Sequence, residues 1–267
     1  MSQSEGLSER HLQMSKDGHH LTDDSIVSEN TLNEAMKVVI PYADEKVKEI
    51  FKDSQGNSIA KVVHKKQLTL YECQNYFHKA GGPSPDPSNQ NVFMKPDGGI
   101  IFAVFGDKHI PLLIVEDKVQ GTNDNLFKLG KKKQATGNAI ERGAKNIRGA
   151  EMIFSDMDVF PYLLFASGCD FHSSETISKR IEMMNMGVPN HYIDVTPDTT
   201  SDMMSTTLTT IVSAINIKKL CGKGIASVFV KAHKWNQMEH GSSRWKKNEI
   251  VTLCKKAIDQ VLETLKK

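Results

Sequence analysis

The chain has 267 residues, with 34 lysines and arginines, 32 aspartates and glutamates, and a formal net charge of +2. A hydrophobic fraction of 39% and a charged fraction of 25% are ordinary for a globular protein, and so small a net charge does not by itself indicate a nucleic-acid binder. No run is long and apolar enough to span a bilayer and the polar N-terminus lacks the pattern of a signal peptide, so we expect a cytoplasmic protein.

The N-terminal part of the chain is predicted to be polar at first and then helical. Residues 1–30 are rich in Ser, His, Asp and Glu and predict a flexible N-terminal arm. Two helices are predicted at 31–40 and 42–52, because Pro41 suits the first turn of a helix. A third helix is predicted at 65–79.

The next elements are two apolar, β-rich runs at 100–105 and 110–115, joined by a short polar turn that begins with glycine. This pattern predicts a β-hairpin. Asp97 precedes the first strand in a Lys-Pro-Asp-Gly-Gly turn, and Glu116 and Lys118 follow the second strand. Since side chains alternate along a strand, Glu116 and Lys118 share one face, and the open end of the hairpin brings Asp97 towards them.

Two carboxylates and one ammonium group are therefore predicted to converge at the end of a hydrophobic ribbon, with Asp117 pointing to the opposite face. Magnesium prefers oxygen ligands and takes one or two carboxylates besides waters and phosphate oxygens. The pattern predicts Mg²⁺ held by Asp97 and Glu116, with Lys118 orienting the nucleophile that attacks a phosphodiester. These residues alone leave an alternative open, namely an ordinary surface turn followed by a Glu–Lys pair at a strand end.

Basic residues cluster after the hairpin, around a predicted helix at 139–154. Ile140, Ala144, Ile147 and Ile153 recur at helical spacing and predict that this helix is partly buried. A lysine-rich patch can neutralise DNA phosphates, although a solvated loop has the same composition. The basic residues are Lys128, Lys131, Lys132, Lys133, Arg142, Lys145 and Arg148, and phosphate contacts are predicted for Lys131, Lys132, Lys133 and Lys145.

The last predicted elements are two buried strands, at 162–166 and 225–230, and a helix at 248–265. The apolar stripe of this helix predicts core packing rather than a partner-binding face. A second basic group that includes Lys231 predicts a solvated edge around two buried tryptophans. The four cysteines lack CxxC spacing, so reduced and buried thiols are expected rather than zinc ligands.

Three blocks of this sequence resemble the EcoRI-type restriction endonucleases, members of the PD-(D/E)xK nuclease superfamily. The third block is the most specific, and it follows the metal motif in the order found in the family. The similarity is best between about residues 92 and 190. The blocks are Lys95-Pro96-Asp97-Gly98-Gly99-Ile100, Val115-Glu116-x-Lys118-x-Gln120-Gly121 and Gly137-Asn138-Ala139-Ile140-Glu141-Arg142.

The resemblance implies an α/β fold in which a central mixed β-sheet is flanked by helices, a restriction-endonuclease-like α/β/α core. No long Gly, Ser or Pro linker divides the chain, so a single endonuclease domain is expected from 31 to 267. Within it, the resemblance implies a catalytic hairpin at 95–121 and a DNA-recognition segment at 131–154.

In the recognition segment, the resemblance implies an extended strand in the major groove, followed by the recognition helix. Gly137 permits close approach to DNA, Asn138 can read adenine N6 and N7, and Ala139 can contact a thymine methyl group. Glu141 and Arg142 are implied to lock this segment and to link recognition to the scissile site. Without the resemblance, Asn138 would be interpreted as a simple N-cap.

One departure from the family leaves the outer base pair of the target open. Of two supporting arginines spaced three apart, the first falls at Ile177, while the second aligns with Arg180; Lys179 is the alternative. The first choice of target is GAATTC, and an AATT core with other flanks is the competitor.

The activity that the resemblance implies is that of a type II restriction endonuclease. It would use Mg²⁺ to hydrolyse double-stranded DNA at a palindrome and leave 5′-phosphate ends. A palindromic target calls for a homodimer that reads one half-site with each subunit. A companion methyltransferase is expected in the same cell, although not as a stable partner. The alternative is a DNA repair or junction nuclease on the same core.

Overall fold

The computed structural model describes most of the chain between residues 21 and 266. Among the residues that the structure describes, every helix is too short or too polar to cross a membrane. Side chains are described throughout except at 21–26, 138–140, 170, 193–195, 226 and 230. The described residues are 21–121, 123, 126, 129–132, 138–171, 179, 193–195, 226–231 and 244–266.

Helices and strands alternate irregularly along the described residues, with one short 3-10 turn at Cys169–Phe171. The elements in chain order are α1 (Leu21–Ile50), β1 (Lys61–Lys65), β2 (Leu68–Thr69), α2 (Leu70–Lys79), β3 (Phe93–Met94), β4 (Gly99–Phe105), β5 (Lys108–Val119), α3 (Asn138–Ile153), β6 (Tyr162–Ser167), β7 (Ile193–Val195), β8 (Ala226–Lys231) and α4 (Lys247–Leu265).

The main sheet, as far as the described residues form it, has six strands in the order β1-β4-β5-β6-β8-β7. The first three strands of this order are antiparallel neighbours, whereas β5, β6, β8 and β7 pair in parallel. Strands β2 and β3 form a separate antiparallel ribbon. The predicted hairpin is confirmed as β4 and β5, and the predicted mixed sheet is confirmed as well.

Helices cover both faces of the main sheet. Helices α1 and α4 pack on the face that carries Ile101 and Phe165, and α2 and α3 pack on the face that carries Ile100 and Ile114. The two cores are separate because successive side chains of a strand point to opposite faces. This arrangement confirms the predicted α/β/α architecture.

Helix α1 is continuous, so the prediction of two helices at 31–40 and 42–52 was wrong. Pro41 lies inside α1 on its exposed side, where the carbonyl that loses its N–H partner can bond to water. Burial of one apolar stripe along the whole helix outweighs this local break. The helix also begins within the predicted N-terminal arm, whose residues 1–20 lie outside the described residues. The buried stripe is Leu32, Ala35, Met36, Val39, Ala43 and Val47.

Helix α2 begins at Leu70 rather than at residue 65 as predicted, because a capping box fixes its first turn. The Glu72 N–H donates to Thr69 Oγ1 at 3.1 Å, and the Thr69 N–H donates to Glu72 Oε2 at 2.7 Å. These reciprocal bonds satisfy two N–H groups that have no partner within the helix. The residues just upstream belong to β1 and β2 instead.

The C-terminal elements lie where the sequence predicts them, with one correction. Trp245 is buried and its Nε1–H donates to the Ala166 carbonyl at 3.0 Å, which ties the start of α4 to β6. Lys231 is not part of a solvated edge: its Nζ lies 2.5 Å from Glu249 Oε2 and 4.7 Å from the centre of the Trp245 ring. The described cysteines are free and buried, as expected: Cys73, Cys169 and Cys254.

Candidate active site

The turn before β4 places Asp97 at the open end of the β4–β5 hairpin. The Gly98 N–H donates to the Val115 carbonyl of β5 at 2.9 Å. Gly99 has a φ of 74°, and a Cβ at this position would lie 2.6 Å from His64 Nε2 in β1. Glycine is therefore required at Gly99, because both the backbone conformation and the close approach of β1 exclude a side chain.

Lys118 joins the two predicted metal-binding carboxylates. Its Nζ lies 3.0 Å from Asp97 Oδ2 and 2.5 Å from Glu116 Oε1. The Asp97 side chain is 41% exposed and that of Lys118 25%, so the cluster opens to solvent on the Asp97 side. The structure thus brings together the three residues that the sequence predicts to converge.

The main chain of Asp117 belongs to the same cluster, although its side chain does not. The Asp117 N–H donates to Asp97 Oδ2 at 3.1 Å, and its carbonyl accepts from Lys118 Nζ at 3.1 Å. The Asp117 carboxylate lies on the opposite face of β5, as predicted, where it accepts a hydrogen bond from Ser28 Oγ of α1. Burial raises the pKa of this carboxyl group to about 6.

Glu116 is held by two side chains from the α3 side of the sheet. The residue is only 2% exposed. Asn146 of α3 donates from Nδ2 to Glu116 Oε1 at 2.7 Å, and the hydroxyl of Tyr162 donates to Oε2 at 3.4 Å. A buried carboxylate needs such donors because desolvation otherwise disfavours its charge.

The charges of the neighbouring groups reinforce this arrangement. Burial alone would lower the pKa of Lys118, but the carboxylates of Glu116 and Asp97 outweigh it and raise that pKa above its ordinary value. Burial, and then the charge of Glu116, raise the pKa of Tyr162 well above its ordinary value. Lys118 therefore stays a cation and Tyr162 stays a hydrogen-bond donor.

A cavity of about 550 Å³ opens beside Glu116, between α2, β3 and α3. Its walls are mostly apolar and include Phe93 and Met152, while Asn146 and Tyr162 lie near the carboxylate. One edge of the candidate site therefore adjoins a mostly apolar cavity, whose Phe93 and Met152 side chains are exposed.

The comparisons with known proteins bear directly on this site. The family described as restriction endonuclease EcoRI matches residues 88–267, which is more than half of the chain and includes the whole cluster. The chain belongs to the EcoRI family of restriction endonucleases. It is a type II restriction endonuclease, a site-specific deoxyribonuclease that binds double-stranded DNA. No curated protein matches the chain.

Restriction endonucleases generally use a divalent metal ion, and the donors of this EcoRI-family site fit one. Asp97 and Glu116 each have an oxygen in contact with the same Lys118 nitrogen. The distance between these two oxygens therefore cannot exceed the sum of the two contact distances. No group of three or more His, Cys, Asp or Glu side chains forms a metal site in the described part of the chain. Two carboxylates nevertheless suffice for Mg²⁺, which keeps several of its waters.

The predicted DNA-recognition residues of this EcoRI-family enzyme are described only in part. Helix α3 begins at Asn138, one residue before the predicted start at 139, so the backbone of Asn138 is helical rather than extended as the resemblance implies. Glu141 and Arg142 are exposed in the first turns of α3, and three predicted phosphate contacts, Lys131, Lys132 and Lys145, are exposed as well. Gly137, Lys133 and Arg180 lie outside the described residues.

Sequence reasoning missed the two side chains that hold Glu116. Asn146 follows Lys145 in the predicted helix at 139–154, and no sequence pattern gave it a role. Tyr162 was predicted only as the start of a buried strand. No sequence signal identified Tyr162: its hydroxyl reaches Glu116 because β6 lies parallel to β5 with Tyr162 opposite Ile114, two residues before Glu116.

Proposed function

We propose that the enzyme hydrolyses double-stranded DNA in a Mg²⁺-dependent reaction at a palindrome with an AATT core, with GAATTC as the first choice of target, and leaves 5′-phosphate ends. The observation that carries this proposal is the contact of one lysine, Lys118, with the carboxylates of both Asp97 and Glu116. Membership of a family of site-specific deoxyribonucleases supports it.

Asp97 and Glu116 would hold the metal ion, with the carbonyl of Asp117 as a further oxygen donor. A bound divalent ion acts as a Lewis acid that neutralises phosphate charge and acidifies water. Asn146 and Tyr162 orient Glu116, and the Asp117 N–H orients Asp97. These contacts preorganise the carboxylates before DNA binds, which reduces the reorganisation needed during the reaction.

In this proposal Lys118 acts as a cation, with its ammonium group in contact with both carboxylates. It orients the attacking water and stabilises the negative charge that develops on the phosphate. Attack forms a bond from the water oxygen to phosphorus, and the bond from phosphorus to O3′ breaks. The attacking water gives up a proton to solvent and the leaving O3′ takes one up from solvent, so the products are a 3′-hydroxyl and a 5′-phosphate.

For recognition, we assign the AATT core to Gly137, Asn138 and Ala139. Asparagine bonds to adenine N6 and N7 and alanine contacts the thymine methyl group. Glu141 and Arg142 lock this segment and connect it to the cutting site. Arg180, or Lys179 in its place, supports the outer base pair. Lys131, Lys132, Lys133 and Lys145 contact phosphates and position the protein on the duplex.

For the whole enzyme, we propose a single endonuclease domain at 31–267, and the continuous helix α1 joins residues 21–30 of the proposed N-terminal arm to this domain. Two copies form a homodimer, because each half of a palindrome presents the same surface to one subunit. A companion methyltransferase would protect the same site in the cell.

Digestion of a plasmid of known sequence tests the proposal. The purified enzyme with Mg²⁺ should give discrete fragments, and sequencing of their ends should place every cut at AATT-centred palindromes with 5′-phosphates. Asp97→Ala and Glu116→Ala should abolish cutting, whereas Asp107→Ala, an exposed acid in the turn at the other end of the hairpin, should cut normally. Fragments formed at wild-type rates by both site variants would reject this site, and nicking that depends on DNA structure would indicate a repair or junction nuclease.

A further inference from the structure

Asp117 of β5 makes contacts both with the candidate active site and with the opposite face of the main sheet. In the candidate active site, its main-chain N–H donates to Asp97 Oδ2 and its carbonyl accepts from Lys118 Nζ. Its side chain passes to the other face, where Ser28 Oγ of α1 donates to Oδ2 at 2.5 Å. A movement of this side chain would therefore change the direction of two main-chain groups in the site.

The carboxylate at this position is costly for the fold. Burying a carboxylate disfavours its charge unless hydrogen bonds compensate, and Asp117 Oδ1 is buried with no hydrogen-bond partner in the described part of the chain. The neighbours on the same face of β5, Leu113 and Val115, are apolar and fully buried. Packing alone would be served better by another apolar residue, so a purpose other than packing accounts for the acid.

Helix α1 is well placed to hold this carboxylate still. Leu32, Ala35 and Val39 of α1 are buried in the core that also contains Leu113 and Val115 of β5. Ser28 lies one turn before Leu32, so its hydroxyl is fixed by a helix that is itself packed on the sheet. Because Ser28 bonds to Asp117, the placement of α1 on the sheet determines where the Asp117 side chain lies.

We propose that Asp117 is a positioning residue for DNA cleavage, and that its bond to Ser28 sets the orientation of the Asp117 N–H and carbonyl towards Asp97 and Lys118. This rests on the cleavage roles proposed above for Asp97 and Lys118. Through this bond, α1 controls how well Asp97 and Lys118 are ordered, although α1 packs on the opposite face of the sheet.

The first test measures the main chain directly and does not depend on cutting. Amide hydrogen exchange at Asp117 should be roughly tenfold faster in Ser28→Ala than in wild type, since the N–H would hold Asp97 less firmly. Thr31→Ala is the matched control, because the Thr31 hydroxyl bonds to the Val27 carbonyl of its own helix at 2.8 Å. Ser28→Thr keeps the hydroxyl and should restore protection. Unchanged exchange in Ser28→Ala overturns the proposal.

The second test measures single-turnover cutting at saturating DNA and Mg²⁺. Ser28→Ala and Asp117→Ala should each cut about 10- to 100-fold more slowly, as small misplacements of reacting groups do, with DNA affinity unchanged. The double variant should be no slower than the slower single variant, because both remove one contact. If Asp117→Ala does not fold, Asp117→Asn replaces it.

The outcomes separate this proposal from the proposed function. A wild-type protein that cuts no DNA rejects the function, while the exchange measurement still decides whether Ser28 orders Asp117. A cutting wild type together with wild-type rates in Ser28→Ala and Asp117→Asn rejects the positioning role and leaves the function intact. Additive losses in the double variant also reject it, because they would mean that Ser28 and Asp117 act separately.

Discussion

Lys118 contacts two carboxylates that meet at the open end of a hairpin, one before its first strand and one late in its second strand, and its pKa is raised as a result. The prediction of this convergence succeeded because it needed only strand alternation and the closeness of the hairpin's two outer ends. Asn146 could not be predicted in the same way, since its contact with Glu116 depends on how α3 packs across the sheet.

Replacing Lys118 by methionine removes the cation but keeps most of the side-chain volume. We expect Lys118→Met to lower the single-turnover cutting rate by roughly 100-fold or more, the size seen when one preorganised donor to a transition state is lost. DNA binding without Mg²⁺ should be retained. Lys108→Met, at the exposed far end of β5, is the control and should cut normally. Equal cutting rates in the two variants would contradict a role for Lys118 in the reaction.

Helix boundaries were harder to predict than the helices themselves. The break predicted at Pro41 was wrong because the sequence rule considers one residue, whereas the apolar stripe of α1 is buried along its whole length. The start of α2 was misplaced for the opposite reason. There, a local signal at Thr69 and Glu72 fixes the helix start downstream of the predicted residue 65.

The capping box of α2 gives a testable energy. Thr69→Ala should lower the free energy of unfolding by about 1 kcal/mol, because one N–H at the helix start loses its acceptor. Chemical denaturation measures this loss. Ser84→Ala, at an exposed position outside the helix, serves as the control and should unfold like wild type. A change equal to that of the control would show that the box does not set the helix start.

The capping box of Thr69 and Glu72 also makes the free energy of unfolding depend on pH. Burial alone would raise the pKa of Glu72, but its bonds from Lys65 and from the Thr69 N–H lower it below the ordinary value of 4.5. Folding thus favours the charged form of Glu72. Its contribution to the free energy of unfolding is present above pH 4.5 and is lost as the pH falls through the lowered pKa. Glu72→Gln should flatten this acid-dependent part of the unfolding free energy, and an unchanged pH profile would contradict the assignment.

Over the whole molecule, the family, the mixed sheet and the two helical layers were all accessible from sequence. Apolar runs marked the strands, and a specific block marked the family. What the sequence did not provide was the cross-layer contacts, such as those of Asp117 with Ser28 and of Lys231 with Glu249. Such contacts join residues far apart in the chain, and no periodic pattern indicates them.

A homodimer has a direct physical signature. The chain mass is 29.8 kDa, and sedimentation velocity should give about twice this value at the concentrations where cutting is measured. Both strands of one site should then be cut in a single binding event. A monomer that cuts both strands at the same rate would contradict the proposed assembly.

Strand β8 lies between β6 and β7 although it follows both in the chain. During translation, one edge of β6 must therefore wait for residues 226–231 to leave the ribosome, and all six residues of β6 end up buried. An open, apolar strand edge is a template for aggregation. Chains that end before residue 226 are thus expected to expose this edge of β6 and to aggregate, so the late arrival of β8 sets the length at which the protein becomes soluble.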